Sequence, residues 1–355
     1  MPLIQVGRGM AFSFGFSEDV GSDKEDAAQV APIAKQSAAI SHQVPVRAHK
    51  LDDLITTLPE HLSYSTVRIE SPLGRTVYLP RRELFDVRAQ LLQEDSSTND
   101  QVVEQLDKSD LRSGVYEGGF KTWECSVDLA SLLLDRGPRK DIDELVKCDQ
   151  IVELGAGSAL PSLILYRHAL LNSISGLTFT LADYNEEVLR LITLPNLILT
   201  WAANTENSGF DSSSQNAVTN GELELTPDLL NRFKADLSNA GIALNFVSGP
   251  WSPSLAALIP TSAPDMGLVV LAAETIYSPE STETFADLLA ILLKRVKMAK
   301  AMIGAKRMYF GVGGSVDGFK EACRDRQAVA YEVENHGVPG LDAGVGRALL
   351  EVQMY

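Results

Sequence analysis

Glu153-Leu154-Gly155-Ala156-Gly157-Ser158-Ala159-Leu160-Pro161 is the segment of this chain best suited to holding a ligand. Ile151 to Leu154 reads as a short buried strand. The two glycines after it let a ligand approach the backbone, and the next helix offers N–H donors at its start. A dinucleotide site wants a third glycine, G-x-G-x-x-G, to close helix and strand around a pyrophosphate; Leu160 stands there instead. Glu153, two residues before the first glycine, suits a ligand with a cationic amino-acid end, such as S-adenosylmethionine. Asp183 ends the next strand, Leu177 to Ala182, where a carboxylate accepts from both hydroxyls of an adenosine ribose. It is equally placed to cap the helix that begins near Asn185. Glycines and acids in register predict an adenosyl ligand. Glu153, Leu160 and the lack of a nearby phosphate-binding arginine favour a methyl donor, with a nicotinamide oxidoreductase as the alternative.

Glu274-Thr275-Ile276-Tyr277 follows a strand read over Gly267 to Ala273, at the edge where open α/β sheets bind ligands. A carboxylate and a phenol three residues apart could both face a donor's methyl group; a helix-start acid with a packed tyrosine is the plainer reading. Trp123 and Trp251 stand in loops flanking that cleft, where rings can stack on adenine or face a sulfonium. Cys125 could be a thiol near the donor, though a small buried residue is the simpler reading. Five scattered histidines without an i,i+4 pair, and three cysteines (Cys125, Cys148, Cys323) without CxxC spacing, predict no metal site and no disulfide framework. The absence of a G-x-S-x-G elbow argues against a Ser-His-acid hydrolase.

The elements that must position these residues follow from periodicity. Leu51 to Ile55 has helical spacing; Ser63 to Ile69 and Thr76 to Leu79 alternate around Pro72-Leu73-Gly74-Arg75 and predict a hairpin. Further on, strands alternate with helices: helices over Ala159–Leu171, Glu186–Ala203, Leu229–Ala240 and Ser281–Lys300, and strands over Ala243–Ser248, Gly267–Ala273, Arg307–Val312, Ala330–Val333 and Ala348–Met354. That alternation predicts an α/β fold with a mostly parallel, Rossmann-like sheet covered on both faces, closed by an antiparallel hairpin at one edge. Residues 1–43, rich in Ala, Ser, Gln and acids, read as a disordered tail in which Phe12, Phe14 and Phe16 alternate. Residues 44–105 read as an N-terminal extension with a helix and hairpin, 106–355 as the ligand-binding domain, and 205–221 as a mobile insertion.

Of 355 residues, 45% are hydrophobic, enough to build a core and to exclude wholesale disorder. No run of about 18 apolar residues exists, so no membrane helix is expected, and the first residues lack a secretory signature. The formal net charge of −16 repels phosphate backbones, so nucleic-acid binding is not expected, while a basic protein partner is suited.

A resemblance adds to this reading. Ser113 to Leu129 (SGVYEGGFKTWECSVDL), Glu153 to Pro161, Asp183-Tyr184-Asn185 through Thr193-Leu194-Pro195-Asn196, Gly249-Pro250-Trp251-Ser252, Glu274 to Pro279 and Tyr309 to Gly314 resemble the eukaryotic histidine protein methyltransferase family, the methyltransferase-like 18 group. The likeness covers most of 106–355, and Phe12 to Phe16 resembles the family's fungal N-terminus. It implies a seven-stranded class I methyltransferase that takes S-adenosylmethionine and methylates a histidine of large-subunit ribosomal protein number three. It further implies that Trp123, Gly155, Asp183, Asn185 and Trp251 line the donor, which together with Glu153, Gly157 and Ala273 make up the candidate donor site. Glu274 and Tyr277 would face the acceptor, and the Tyr309–Gly314 loop would shape the protein-substrate side. Two departures stand out: Ala156 where the family often has Cys, and Ala272-Ala273 where small polar residues are usual. The expectation that follows is a monomer of cytoplasm and nucleus acting on a free or nascent basic protein.

The chemistry suits imidazole. With a pKa of about 6.5, much of it is already a neutral nucleophile at pH 7. A lysine, at about 10.4, must first lose a proton, costing on the order of 4–5 kcal/mol. Such an enzyme needs alignment more than base strength: Glu274 would accept the N–H of the ring nitrogen that is not attacked, and Tyr277 would pack on the ring. The alternatives are a related lysine methyltransferase, whose motif usually carries Asp in place of Glu274, and a donor-binding adaptor or chaperone without turnover.

Overall fold

A strand buried on both faces must be apolar at every position, and one exposed on one face need be apolar only at alternate ones. Both patterns occur in the computed structural model, which describes residues 44–94, 119–137, 140–141, 148–211, 217–333, 337–342 and 344–355. The strands in chain order are β1 (Arg47–His49), β2 (His61–Glu70), β3 (Thr76–Arg82), β4 (Arg136–Gly137), β5 (Lys140–Asp141), β6 (Gln150–Leu154) and β7 (Leu177–Asp183), followed by β8 (Asn220–Glu224), β9 (Ile242–Ser248), β10 (Gly267–Ala273), β11 (Met298–Lys306), β12 (Ala328–Glu332) and β13 (Arg347–Met354). The main sheet runs β1-β9-β7-β6-β10-β11-β13-β12. From β9 to β11 all pairings are parallel, whereas β13 is antiparallel to both neighbours and β1 antiparallel to β9.

Alternate residues of the central strands feed two separate apolar layers. Ile151, Phe179, Leu181, Val269 and Leu271 join one, with Leu129, Leu163 and Tyr166 from the helices Glu124–Asp135 and Leu160–Leu171. Val152, Leu154, Ala182, Val270 and Ile303 join the other, with Phe285, Leu288 and Phe319 from the helices Pro279–Lys294 and Val316–Asp325. The α/β class with a mostly parallel sheet and a closing antiparallel strand pair is therefore as expected. No helix among the described residues is long and apolar enough to cross a membrane.

Four details differ from expectation. An eighth strand, β1, lies at the sheet edge; three residues are too few to show a period. The helix read to Lys300 ends at Lys294, and the strand read over Arg307–Val312 is the preceding Met298–Lys306. Its sequence, MAKAMIGAK, is rich in helix formers, and its pairing with β10 and β13 overrides that propensity. The helix after β7 opens into a π turn at Leu189–Thr193, because Pro195 has no N–H to continue the ladder. Finally, 205–221 is structured at both described ends: Phe210 stacks on Tyr64 with ring centroids 4.6 Å apart, and Asn220-Gly221 open β8, which pairs with β2 of the hairpin. The tail with Phe12, Phe14 and Phe16, and Ser113 to Gly118 of the resembling motif, lie outside the described residues.

Candidate active site at the carboxyl edge of the sheet

Strand β6 delivers its glycines at the middle of the sheet, where β7 and β10 flank it. Gly155 and Gly157 take φ of +69° and +50°, and Ala159 follows at +58°, left-handed values natural to glycine and strained for alanine. A Cβ on Gly155 would lie 2.9 Å from Thr275 Cγ2 and 3.9 Å from the Trp251 ring, so only hydrogen fits there. The Gly157 N–H donates to Asp183 Oδ2 at 3.0 Å, and the Asn185 N–H to Asp183 Oδ1 at 3.2 Å. The carboxylate thus ties the tips of β6 and β7 together. Trp251 stands edge-on to Phe285, centroids 6.3 Å apart. Gly155, Gly157, Asp183, Asn185 and Trp251 are thereby brought to one corner.

The loop is held from behind. Thr193 Oγ1 donates to the Gly157 carbonyl at 2.8 Å; Asn196 Nδ2 donates to the Ser158 carbonyl at 3.0 Å while its Oδ1 accepts the Arg82 N–H at 2.8 Å. The π turn sets these two side chains under the loop, a role that spacing along the chain does not disclose.

Glu153 takes another direction. Its side chain is buried, and Oε2 accepts the Ser162 N–H at 2.9 Å, in the first turn of Leu160–Leu171. Burial pushes the carboxyl up to about 8, against the hydrogen bond from Ser162. It braces the start of the helix from inside the core, away from the surface where the other donor-side residues meet.

On the other flank, β10 ends at the half-buried Ala273, and Glu274 turns the chain with φ of +60°. Its N–H donates to the Gly304 carbonyl at 2.9 Å, and Oε1 lies 3.7 Å from Lys306 Nζ. The Lys306 ammonium sits over two rings, 5.2 Å from the centroid of Trp123 and 5.9 Å from that of Tyr309. Burial first, and Glu274 second, hold both the Cys125 thiol and the Tyr309 phenol well above their ordinary values. Tyr277 is half-buried against the second apolar layer, and its carbonyl accepts the Gly314 N–H at 3.0 Å. Trp123 therefore belongs to the Glu274 corner and Trp251 to the glycine corner. Lys306 carries no site signal in the sequence, because the strand is expected over Arg307–Val312, whereas Tyr309 enters as the first residue of the loop expected on the protein-substrate side. With the strand placed correctly, Lys306 is its last residue and falls at the ligand-binding edge.

An adenosyl donor fits these residues. The cradle over Gly155 has no room for a side chain, and Asn185 Nδ2 and Thr275 Oγ1 are buried without a hydrogen-bond partner. A glycine loop after β6, an acid at the tip of the neighbouring β7, and a last strand, β13, inserted antiparallel beside β11 define a class I S-adenosylmethionine-dependent methyltransferase.

No family model matches the chain. Among curated proteins, histidine protein methyltransferase 1 of Saccharomyces cerevisiae is 34% identical over 352 residues, covering 89% of this chain and 91% of that protein. Its counterpart in Schizosaccharomyces pombe is 38% identical over 318 residues, covering 86% and 82%. The chain belongs to the histidine protein methyltransferase 1 family. Among solved structures, mitomycin 7-O-methyltransferase MmcR matches with a TM-score of 0.35 at 10% identity, over 76% of this chain and 60% of that one. A TehB-like SAM-dependent methyltransferase from Corynebacterium glutamicum matches with a TM-score of 0.31 at 13% identity, over 60% and 85%.

Proposed function

We propose that the chain methylates one imidazole nitrogen of a histidine in large-subunit ribosomal protein number three. S-adenosylmethionine, when bound, would supply an electrophilic methyl group on a sulfonium, the S–CH3 bond breaking with its electron pair retained by S-adenosylhomocysteine as leaving group. Gly155, Gly157, Asp183, Asn185, Trp251 and Ala273 would hold it. One observation carries the reading: Thr275, chain neighbour of Glu274, packs on Gly155, so the acid corner abuts the donor cradle.

The chain's own part is alignment. A neutral imidazole brings its lone pair to the methyl carbon, and the ring's second nitrogen keeps its proton until transfer is complete. Glu274 accepts that N–H and so fixes which nitrogen attacks; Tyr277 packs against the ring. The ring then loses the proton to solvent as the neutral methylated imidazole forms. The formal charge of −16 favours a basic protein that is free or nascent over one already covered by RNA. We further infer that the chain works as a monomer in cytoplasm and nucleus.

The test is incubation of the protein with donor and the purified ribosomal protein, followed by mass spectrometry of the product. Methyl on one histidine is the expected result. Methyl on lysine would move the chain to the related lysine-directed activity, and donor binding without transfer would make it an adaptor.

A further inference from the structure

We propose that Lys306 is the built-in occupant of a cation cage, and that by filling it the chain bars an ammonium acceptor from the site. The inference rests on the reading of the Glu274 corner as the acceptor side.

A carboxylate and two ring faces set around one point are what a protein uses to hold an ammonium group, because charge and ring quadrupole act together. Glu274 supplies the carboxylate, with Oε1 3.7 Å from Lys306 Nζ. Trp123 and Tyr309 supply the faces, both within the reach of a cation–π contact. The three come from separate segments: a helix start, the tip of β10 and the loop after β11. Two backbone approaches fix them in place. A Cβ on Gly304 would meet the Cys125 carbonyl at 2.6 Å, and one on Gly314 the Ile276 carbonyl at 2.1 Å. Tyr309 is pinned further, its hydroxyl accepting the Lys306 N–H at 3.2 Å.

The Lys306 side chain is 22% exposed, so the cage opens to the surface. A lysine from outside would find the position taken and its charge repelled by the resident ammonium at close range. A neutral imidazole meets no such repulsion. The cage thus discriminates between the two acceptors by the charge each carries on arrival rather than by size.

The experiment titrates tetramethylammonium, a cation that cannot donate hydrogen bonds, against wild type, K306A and K306Q, reading indole fluorescence and the shifts of the ring protons. The expected result is saturable binding in K306A at least about tenfold tighter than in wild type, lost again when Trp123→Leu is added. Circular dichroism establishes that each variant is folded, and K306Q, which retains a stem of intermediate length, serves if K306A is not. In the unaltered protein, two ring faces must shift the Lys306 ε-methylene protons upfield, an effect assigned by its loss in K306R. Equal cation binding in wild type and a folded variant, no binding in either, or an unshifted ε-methylene overturns the cage. With transfer assays on substrate proteins carrying histidine or lysine at the acceptor position, the lysine-to-histidine product ratio should rise about tenfold or more in K306A. An unchanged ratio removes the discriminating role. If wild type transfers no methyl group at all, the proposed function fails while the cation titration still decides the cage.

Discussion

The glycine corner and the Glu274 corner lie on the same sheet edge but are built differently. The first is mostly backbone: two left-handed glycines, a carboxylate holding two N–H groups, and buried side-chain amide and hydroxyl struts from Thr193 and Asn196. The second is mostly side chain: a carboxylate, an ammonium, two rings and a thiol drawn from three stretches of chain. On the proposed function, the backbone cradle would recognise what every substrate pair shares, the donor, and the side-chain cluster would tell one acceptor from another. If this division is right, damage to the two corners separates in the measured constants.

The largest separation is expected from Asp183→Ala. It removes the acceptor for the Gly157 and Asn185 N–H groups and, on the proposed function, the group that would hold the donor's ribose. Losing a carboxylate that holds buried donors costs about 2–3 kcal/mol, so donor affinity by calorimetry should fall about a hundredfold. Affinity for the acceptor protein should be preserved. Unchanged donor affinity would dissolve the comparison from the donor side.

Glu274→Gln should show the opposite pattern. Its side chain is 8% exposed and its nearest charge is Lys306, so the amide keeps the shape and removes the negative charge. With the charge gone, the ring N–H is held less strongly and the attacking nitrogen is chosen less well. The expected loss is about thirtyfold in kcat, with donor affinity within twofold of wild type. A thirtyfold loss of donor affinity instead would merge the two corners into one site.

The same division explains what could be read from the chain. The glycine corner is written in consecutive residues: the run Glu153 to Pro161 and, one strand later, Asp183-Tyr184-Asn185. Local motifs report local geometry, and the fold class followed from the strand-helix alternation around them. The Glu274 corner depends on register. Lys306 reaches it only because β11 pairs with β10 such that Gly304 lies opposite Ala273, and Tyr309 only because the loop closes on Tyr277. Nothing in MAKAMIGAK signals a strand, so the residue that fills the corner was invisible. Glu153 failed in the other direction: its type and spacing suit a ligand's amino group, but the side chain alternates inward, onto the face of Leu160–Leu171.

That burial has a pH signature. The Glu153 carboxyl titrates near its ordinary value of 4.5 in the unfolded chain and at about 8 in the folded one. Between those values the folded state holds a proton that the unfolded state has lost. Stability therefore falls as pH rises from about 4.5 to about 8, by up to about 1.4 kcal/mol per unit. Glu153→Gln, a permanent neutral isostere, should flatten that slope, so that urea melts at pH 5.5 and 7.5 favour the variant increasingly at the higher pH. Donor affinity should change little, because Glu153 braces the helix. A parallel pH dependence in variant and wild type would place the carboxyl in the open cleft after all.

The smallest effect sharpens the comparison at its outer rim. Beyond Lys306 the chain forms a tight loop: the Tyr309 N–H donates to the Gly314 carbonyl at 2.8 Å, the Gly313 N–H to the Tyr309 carbonyl at 2.9 Å, and the Gly314 N–H to the Tyr277 carbonyl at 3.0 Å. Gly311 and Gly313 take φ of +84° and +89°, which permits the reversal. Tyr309 points in and is buried, while Phe310 points out and is 75% exposed. A loop so bonded presents that ring without further ordering on binding, the property of an interface anchor. Phe310→Ser should raise KM for a protein acceptor about fivefold, near 1 kcal/mol of lost apolar contact. It should leave kcat, donor affinity and thermal stability as they were. Were kcat to fall instead, the loop would be transmitting strain through Gly314 into Tyr277, and the boundary between recognition and alignment would have to be drawn inside the Glu274 corner rather than around it.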